Sequence, residues 1–375
     1  MPALEIPKSL LPADGRFGSG PSKVRPEAVD ALFAAAPHYL GTSHRRPMVK
    51  GVVSNIRAGL QEMFQSPEGY EVVLGNGGAS AFWDLAIFCL IEKKSQHLRF
   101  GEFSERFYEY VSRAPDLDEP QGITSELGTH PEPKPDLAVD AYALTHNETS
   151  TGVLAPIVRP RLDDGSVADG IVLVDATSAA GGTRIDLSEC DAYYFAPQKC
   201  FGSDGGIYVA FVSPSAIERA QRLKGGGRWA PAFLDLVTAV ENSRLDQTTN
   251  TPALATLFLL SNQIDWINRE GGLEWAAERC EHSSSIIYEW AKKSSFAAPF
   301  VSVPEQRSPV LATIDFDDEI DANVVAKVLR DNGIVDTESY RKLDRNQLRI
   351  AVFPAIEPTD VEALTACIDW IVERL

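Results

Sequence analysis

The sequence is short of cysteine, of basic residues and of long apolar runs, and each shortage excludes a class of protein. Its five cysteines (Cys89, Cys190, Cys200, Cys280, Cys367) are odd in number, widely spaced and without CxxC or paired-histidine spacing. That pattern argues for reduced thiols and against a disulfide framework or a bound metal. Thirty-five basic against 53 acidic side chains give a formal charge of −18, which repels phosphate backbones and anionic lipid at long range. Neither nucleic acid nor a membrane is therefore an expected partner. A few arginines inside a cleft can still reverse the field locally, so an anionic small substrate stays open. The longest apolar stretch, Ala81 to Ile91, is about half a bilayer span and contains Asp84, which suits a buried helix better than a transmembrane one. The first twenty residues lack a basic region followed by an apolar stretch, so no secretory signal is expected and the expected location is the cytoplasm. Repeats and low-complexity tracts are also lacking.

What is present is a chain of 375 residues with 44% hydrophobic and 23% charged composition, enough to bury a large core in two domains. After a Pro/Gly-punctuated arm (residues 1–25), Pro26 to Phe64 is patterned as helix, interrupted by the loop Gly41-Thr-Ser-His-Arg-Arg-Pro47. A short β-prone run, Tyr70 to Leu74, leads into Gly75-Asn-Gly-Gly78 and a helical stretch. Further strands are expected at Leu98–Phe100, Ala141–Leu144, Ile171–Val174, Ala192–Phe195 and Gly206–Val212. Apolar strands separated by helices indicate an α/β fold with a mostly parallel sheet covered on both faces. Pro115 to Asp136 reads as a surface connection. From Asn250-Thr-Pro252 a long helical pattern runs through Trp266 to Trp290, and strand, helix, strand, helix follows. The expected division is a large domain over residues 26–264 and a smaller α+β domain over 265–375.

Glycines between a strand and a helix let backbone N–H groups converge on a phosphate, and Gly75-Asn-Gly-Gly-Ala-Ser80 fits that use. It fits an ordinary tight turn equally well, being neither GxGxxG nor a P-loop. More specific is Val172-Leu-Val-Asp-Ala-Thr177, an apolar strand ending on an acid, with Lys199 following in Ala196-Pro-Gln-Lys-Cys200. An acid at the carboxyl end of a parallel strand faces the crevice where open α/β sheets bind ligands. A lysine from the next strand's exit reaches the same crevice. The pair suits pyridoxal 5'-phosphate: the lysine forms an imine, and the carboxylate keeps the ring nitrogen protonated so that the ring can take up a carbanion's electrons.

Eight stretches, Phe17-Gly-Ser-Gly-Pro-Ser22, Gly41-Thr-Ser-His-Arg45, Gly75-Asn-Gly-Gly78, His146-Asn-Glu-Thr149, Val174-Asp-Ala-Thr-Ser178, Ala196-Pro-Gln-Lys199, Asn250-Thr-Pro252 and Leu348-Arg349, together carry a resemblance. Over essentially its whole length the chain resembles the fold-type I, class V aminotransferases, specifically the phosphoserine aminotransferase family. The resemblance implies a seven-stranded, mostly parallel sheet in a large cofactor-binding domain. It makes Lys199 the Schiff-base lysine and proton shuttle and Asp175 the partner of the ring nitrogen. Ala79 and Ser80 would offer N–H groups to the cofactor phosphate, with Gln198 beside them, and Thr149 would bond the phenolic oxygen. Family members often stack a tryptophan on the ring; here Gly101-Glu-Phe103 supplies Phe103, which keeps the π-face and loses the indole donor. Asn250 and Thr251 match residues that reach the neighbouring subunit's cofactor phosphate, implying a homodimer with shared sites. His44 and Arg45 would act across the interface on substrate phosphate, with Arg46 as assistant or replacement. Arg349 would clamp every substrate's α-carboxylate. Tyr340 and Arg341 align near residues that help bind phosphate, although Lys342 to Gln347 departs in length from many relatives.

The implied reaction is ping-pong transfer of an amino group from L-glutamate to 3-phosphohydroxypyruvate, giving O-phospho-L-serine and 2-oxoglutarate. In many bacteria it also implies action on phosphorylated hydroxythreonine in cofactor synthesis. Among the alternatives, an alanine–glyoxylate-type aminotransferase shares the fold. A cysteine desulfurase needs a mobile nucleophilic cysteine, whereas Cys200 would point away from the crevice in an extended chain. A non-catalytic regulator should lack Lys199, Asp175 or Arg349, or carry a DNA-binding extension, and this sequence does neither.

Overall fold

From Ile171 to Asp175 every residue is buried, yet the side chains divide: Val172 and Val174 pack into one hydrophobic cluster, Ile171 and Leu173 into another. Side chains that alternate between two apolar environments belong to a strand covered on both faces. A computed structural model describes residues 4–375 and shows what covers it; residues 1–3 of the expected arm lie outside the described residues.

In chain order the first part contains α1 (Pro26–Tyr39), α2 (Pro47–Met63), β1 (Glu71–Asn76), α3 (Ala79–Cys89), β2 (Ser95–Arg99), α4 (Glu102–Val111), β3 (Gln121–Thr124), β4 (Ala141–Thr145), β5 (Asn147–Glu148), β6 (Val153–Leu154), β7 (Ile171–Asp175), β8 (Ala192–Phe195), β9 (Ile207–Val212), α5 (Pro214–Gly225) and α6 (Leu236–Arg244). Seven of these strands form one sheet in the order β1-β9-β8-β7-β4-β2-β3. Only β9 runs against the others, pairing antiparallel with both β1 and β8. One face is covered by α2 and by α7 (Leu254–Glu270) through Val53, Ile56, Leu60, Leu257 and Ile264. The other is covered by α3 to α6 through Phe82, Leu85, Phe107, Ile217 and Leu236.

The chain then continues through α8 (Gly272–Lys293), β10 (Ala297–Pro299), β11 (Leu311–Phe316), α9 (Ala322–Asp331), β12 (Gln347–Ala351) and α10 (Pro358–Val372). The antiparallel sheet β10-β11-β12 packs with these helices around Ile287, Val325, Leu348 and Leu364. Ile6 and Phe17 of the arm are buried in the same cluster, and the arm's Phe17 carbonyl accepts from Ala351 N–H at 3.1 Å.

Three local expectations need correction. The segment read as a surface connection contains β3, an edge strand paired parallel to β2; its alternating exposure leaves too weak an apolar signal to see. Gly75 and Asn76 belong to β1, paired with Tyr208 and Ile207, so the turn proper is Gly77-Gly78. The long helical run is broken at Gly271, where φ is +133°, separating α7 from α8. Residue 264, the expected domain limit, lies within α7, whose Ile264 and Ile267 pack in one cluster. Among the described residues no helix is long and apolar enough to cross a membrane.

Candidate active site

Asp175 ends β7 at the carboxyl edge of the sheet and is buried. Its Oδ1 accepts the Thr177 backbone N–H at 2.9 Å and its Oδ2 the Trp83 indole N–H at 3.0 Å. Burial pushes the carboxyl pKa up, while the Thr177 and Trp83 donors and the charge of Lys199 pull it down. Trp83 is itself fixed from α3 by stacking on Phe107, with ring centroids 5.8 Å apart and an angle of 14°. The net shift is upward, and the donors on both oxygens leave the carboxyl group aimed.

Lys199 leaves β8 in a turn closed by Gly202 N–H to the Lys199 carbonyl at 2.9 Å. Its side chain is buried, and Nζ donates to the Ser19 carbonyl of the arm. The arm is held there from the other side as well, since Ser22 Oγ donates to the Lys199 carbonyl at 2.5 Å and Ser22 N–H to that of Gln198 at 2.9 Å. Gly20 makes the approach possible, because a Cβ at that position would lie 2.1 Å from Nζ. Burial, and after it the positive charge of Arg349, lowers the Lys199 pKa to about 8. A lysine so placed has a neutral, nucleophilic fraction near neutral pH far above that of an ordinary solvated lysine.

The next layer binds these groups to the small sheet. Thr149 Oγ1 donates to Ser178 Oγ at 2.8 Å, and Asn147 Nδ2 donates to the same hydroxyl at 2.8 Å. Arg349, on β12, donates from Nη1 to the Thr149 carbonyl at 3.2 Å and lies 5.2 Å from the Tyr340 ring centroid. Its Nε is buried without a hydrogen-bond partner among the described residues. Phe103 opens α4 with its ring 6.1 Å from that of Tyr340.

Helix α3 begins at Gly78 with no side chain capping it among the described residues, so the N–H groups of Ala79 and Ser80 are free to meet an anion. Asn76, just before the turn, donates from Nδ2 to the Thr251 carbonyl at 2.9 Å. Thr251 Oγ1 lies 3.1 Å from His44 Nδ1, and Arg45 donates to Gln247 at 3.4 Å. His44 is half-buried; Arg45, Arg46, Asn250 and Thr251 are exposed. Gln198 Oε1 is buried and has no hydrogen-bond partner among the described residues.

The structure thus brings buried Lys199, Asp175 and Thr149 together with the half-buried Arg349, and gathers His44, Arg45, Asn250 and Thr251 into a surface cluster bonded to Asn76. Arg341 stays outside both, exposed and without a hydrogen bond among the described residues. The reason given for setting Cys200 aside needs correction, since the chain there turns rather than extends. Its buried thiol instead lies 3.3 Å from the Ser178 carbonyl, with its pKa pushed well up by burial, which leaves it unreactive. Sequence reasoning missed Trp83, Glu148, Ser178, Asn76 and the Ser19 carbonyl. Glu148 and Ser178 stood inside quoted motifs, and Trp83 sits one helical turn after Ala79, a spacing that could have pointed to it.

Pyridoxal 5'-phosphate fits this donor set: a buried lysine of lowered pKa for its aldehyde, a buried acid for its ring nitrogen, uncapped helix N–H groups for its phosphate. Among the described residues no cluster of three or more His, Cys, Asp or Glu could hold a metal ion.

The class-V aminotransferase family profile matches residues 133–337. A phosphoserine aminotransferase of Nocardioides sp. is 57% identical over 374 residues, covering 100% of this chain and 99% of its own. A putative phosphoserine aminotransferase of Mycolicibacterium vanbaalenii is 56% identical over 372 residues, 99% of each chain. Among solved structures, a phosphoserine aminotransferase from Cytophaga hutchinsonii superposes with TM-score 0.87 at 24% identity, covering 95% of this chain and 99% of its own. A pyridoxal-phosphate-bound phosphoserine aminotransferase from Trichomonas vaginalis does so with TM-score 0.81 at 17% identity, over 95% and 99%.

Proposed function

The chain belongs to the phosphoserine aminotransferase family of class-V aminotransferases, and we propose that its buried Lys199–Asp175 pair carries pyridoxal-phosphate-dependent transamination between L-glutamate and 3-phosphohydroxypyruvate. When bound, the cofactor supplies an aldehyde that takes the amino group and a ring that takes up the electrons of the Cα–H bond. Lys199 Nζ removes the substrate's α-proton and returns it on the other side of the transfer, a task suited to an amine with a pKa of about 8. Asp175 holds a proton on the ring nitrogen. Trp83 and Thr177 hold Asp175. Thr149 would bond the ring's phenolic oxygen, and Phe103 would cover one ring face. Ala79 and Ser80 N–H groups with Gln198 receive the cofactor phosphate. Arg349 receives the α-carboxylate of each substrate in turn, which is why one site serves both half-reactions.

The active unit is a homodimer in this reading, with Asn250 and Thr251 reaching the partner's cofactor phosphate and His44 and Arg45, with Arg341 behind them, binding substrate phosphate. Support comes from the exposed cluster's apolar rim: Leu40, Met48 and Leu245 are 40%, 43% and 58% exposed, surface that a second copy would cover. Sedimentation that gave a fully active monomer would overturn this. The same anion-binding loop supports use of phosphorylated hydroxythreonine as a second substrate. The division into large (26–264) and small (265–375) domains is supported by their different core clusters, with α7 bridging the limit, while the arm (1–25) packs through Ile6 and Phe17 into the small-domain cluster. Five free, buried cysteines support a cytoplasmic location.

The carrying observation is the buried lysine opposite a buried acid. The test is the visible spectrum of the purified protein, followed on adding glutamate and then phosphohydroxypyruvate. Bleaching by the first and recovery with the second is expected; a band indifferent to both would defeat the reading.

A further inference from the structure

Glu148 is a buried carboxylate that the reaction above leaves unused. It ends β5 with no exposed surface and reaches the start of a different element, α4. Its Oε2 accepts the backbone N–H groups of Phe103 at 3.1 Å and Ser104 at 3.0 Å. Its Oε1 accepts Ser150 N–H at 3.1 Å and Ser150 Oγ at 2.6 Å. The Ser150 hydroxyl in turn accepts Glu102 N–H at 3.0 Å. Three successive N–H groups of the first turn of α4 therefore end, directly or through one hydroxyl, on this carboxylate. The helix has no cap of its own, because its N-cap residue is Gly101. That glycine is required: a Cβ there would lie 2.3 Å from Glu148 Cγ.

A carboxylate at a helix N-terminus meets both unpaired donors and the positive end of the dipole. Burial raises its pKa, and the four donors act against that rise without cancelling it. The cap comes from the same short hairpin that carries Thr149, whose carbonyl holds Arg349, while Phe103, in the capped turn, packs against Tyr340 beside that arginine.

We propose that Glu148 is a positioning residue: by capping α4 from strand β5 it fixes Phe103 over the cofactor face, in register with Thr149 and Arg349. This rests on the functional reading above. It explains why the Gly101-x-Phe103 step and the His146-Asn-Glu-Thr149 motif occur together, one making room for the side chain that the other supplies.

The test is a double-mutant cycle on cofactor uptake. Apoprotein of the wild type, Glu148→Gln, Phe103→Leu and the double variant is titrated with pyridoxal phosphate, and the dissociation constant and the induced visible circular dichroism are read. Glutamine keeps the volume but turns an amide N–H₂ toward backbone N–H groups, so a loss of affinity of about tenfold and a weakened dichroic band are expected. Because the effect passes through Phe103, the double variant should lose no more than about twofold beyond Phe103→Leu alone. Glu148→Asp, a shorter anion, should recover part of the loss, and it carries the same cycle if Glu148→Gln does not fold. Additive losses, or a lowered melting temperature with unchanged affinity and dichroism, would reduce Glu148 to a helix cap and overturn the proposal. Wild-type protein that takes up no cofactor would overturn the functional reading and this inference together; normal wild-type uptake matched by Glu148→Gln overturns this inference alone.

Discussion

Around Lys199 each reactive group is buried and tied to the protein: Asp175 by Trp83 and Thr177, Thr149 by Ser178, the lysine itself by Ser19. Around His44 the corresponding groups stand at or near the surface, with Thr251 held by His44 and Asn76 and a longer contact from Arg45 to Gln247. The difference follows from what each region must do. Groups that act on a developing charge gain from being fixed in a dry site before substrate arrives. In the proposed reading the groups around His44 collect a phosphate from solution and gain from exposure, with their remaining partners supplied by a second chain. The substitutions that follow separate the two regions.

Lys199→Ala strikes the first region hardest. Loss of the proton-moving amine should lower turnover by roughly 10²–10⁴-fold or more, measured as kcat in each half-reaction; near-normal turnover would erase the distinction between core and rim. Arg349→Gln comes next, at the boundary. Loss of a charge-assisted clamp should raise KM for glutamate and for the keto acid by roughly tenfold or more. Arg349 also lowers the Lys199 pKa, so its removal should raise it. The apoprotein's lysine, whose reactivity toward an amine-directed reagent should rise with pH through about 8, should in the variant rise at higher pH. An unmoved profile would show that burial alone sets the pKa.

Trp83→Phe keeps the ring and removes one donor to Asp175, so kcat should fall by about tenfold with KM nearly unchanged. A KM effect without a kcat effect would put Trp83 in binding. The smallest effect is expected at the rim: Arg45→Ala should raise KM for the phosphorylated substrates by a few-fold to about tenfold, sparing the glutamate half-reaction. Equal loss with glutamate would mean that the two regions are not separate.

The sheet was legible because its central strands are buried on both faces and read as near-continuous apolar runs, with Ile171–Asp175 and Ile207–Val212 the clearest. Edge strand β3 was not, since Gln121–Thr124 alternates between half-buried and exposed residues in a Pro/Glu-rich segment. Lys199 and Asp175 were legible because chemistry restricts what can stand at strand ends in a crevice. Trp83 and Glu148 were not, for their roles depend on contacts across 92 and 44–45 residues of sequence that no local pattern encodes. The arm misled for the same reason: Ile6 and Phe17 look like isolated apolar residues until the last third of the chain closes over them.

The central claim is that Lys199 alone among the lysines bonds the cofactor, and borohydride reduction of the holoprotein followed by peptide mass analysis tests it most directly. The account predicts a phosphopyridoxyl group on the peptide carrying Lys199 and none on the same peptide after treatment with glutamate. A label on another lysine, or on none in the untreated protein, would contradict it.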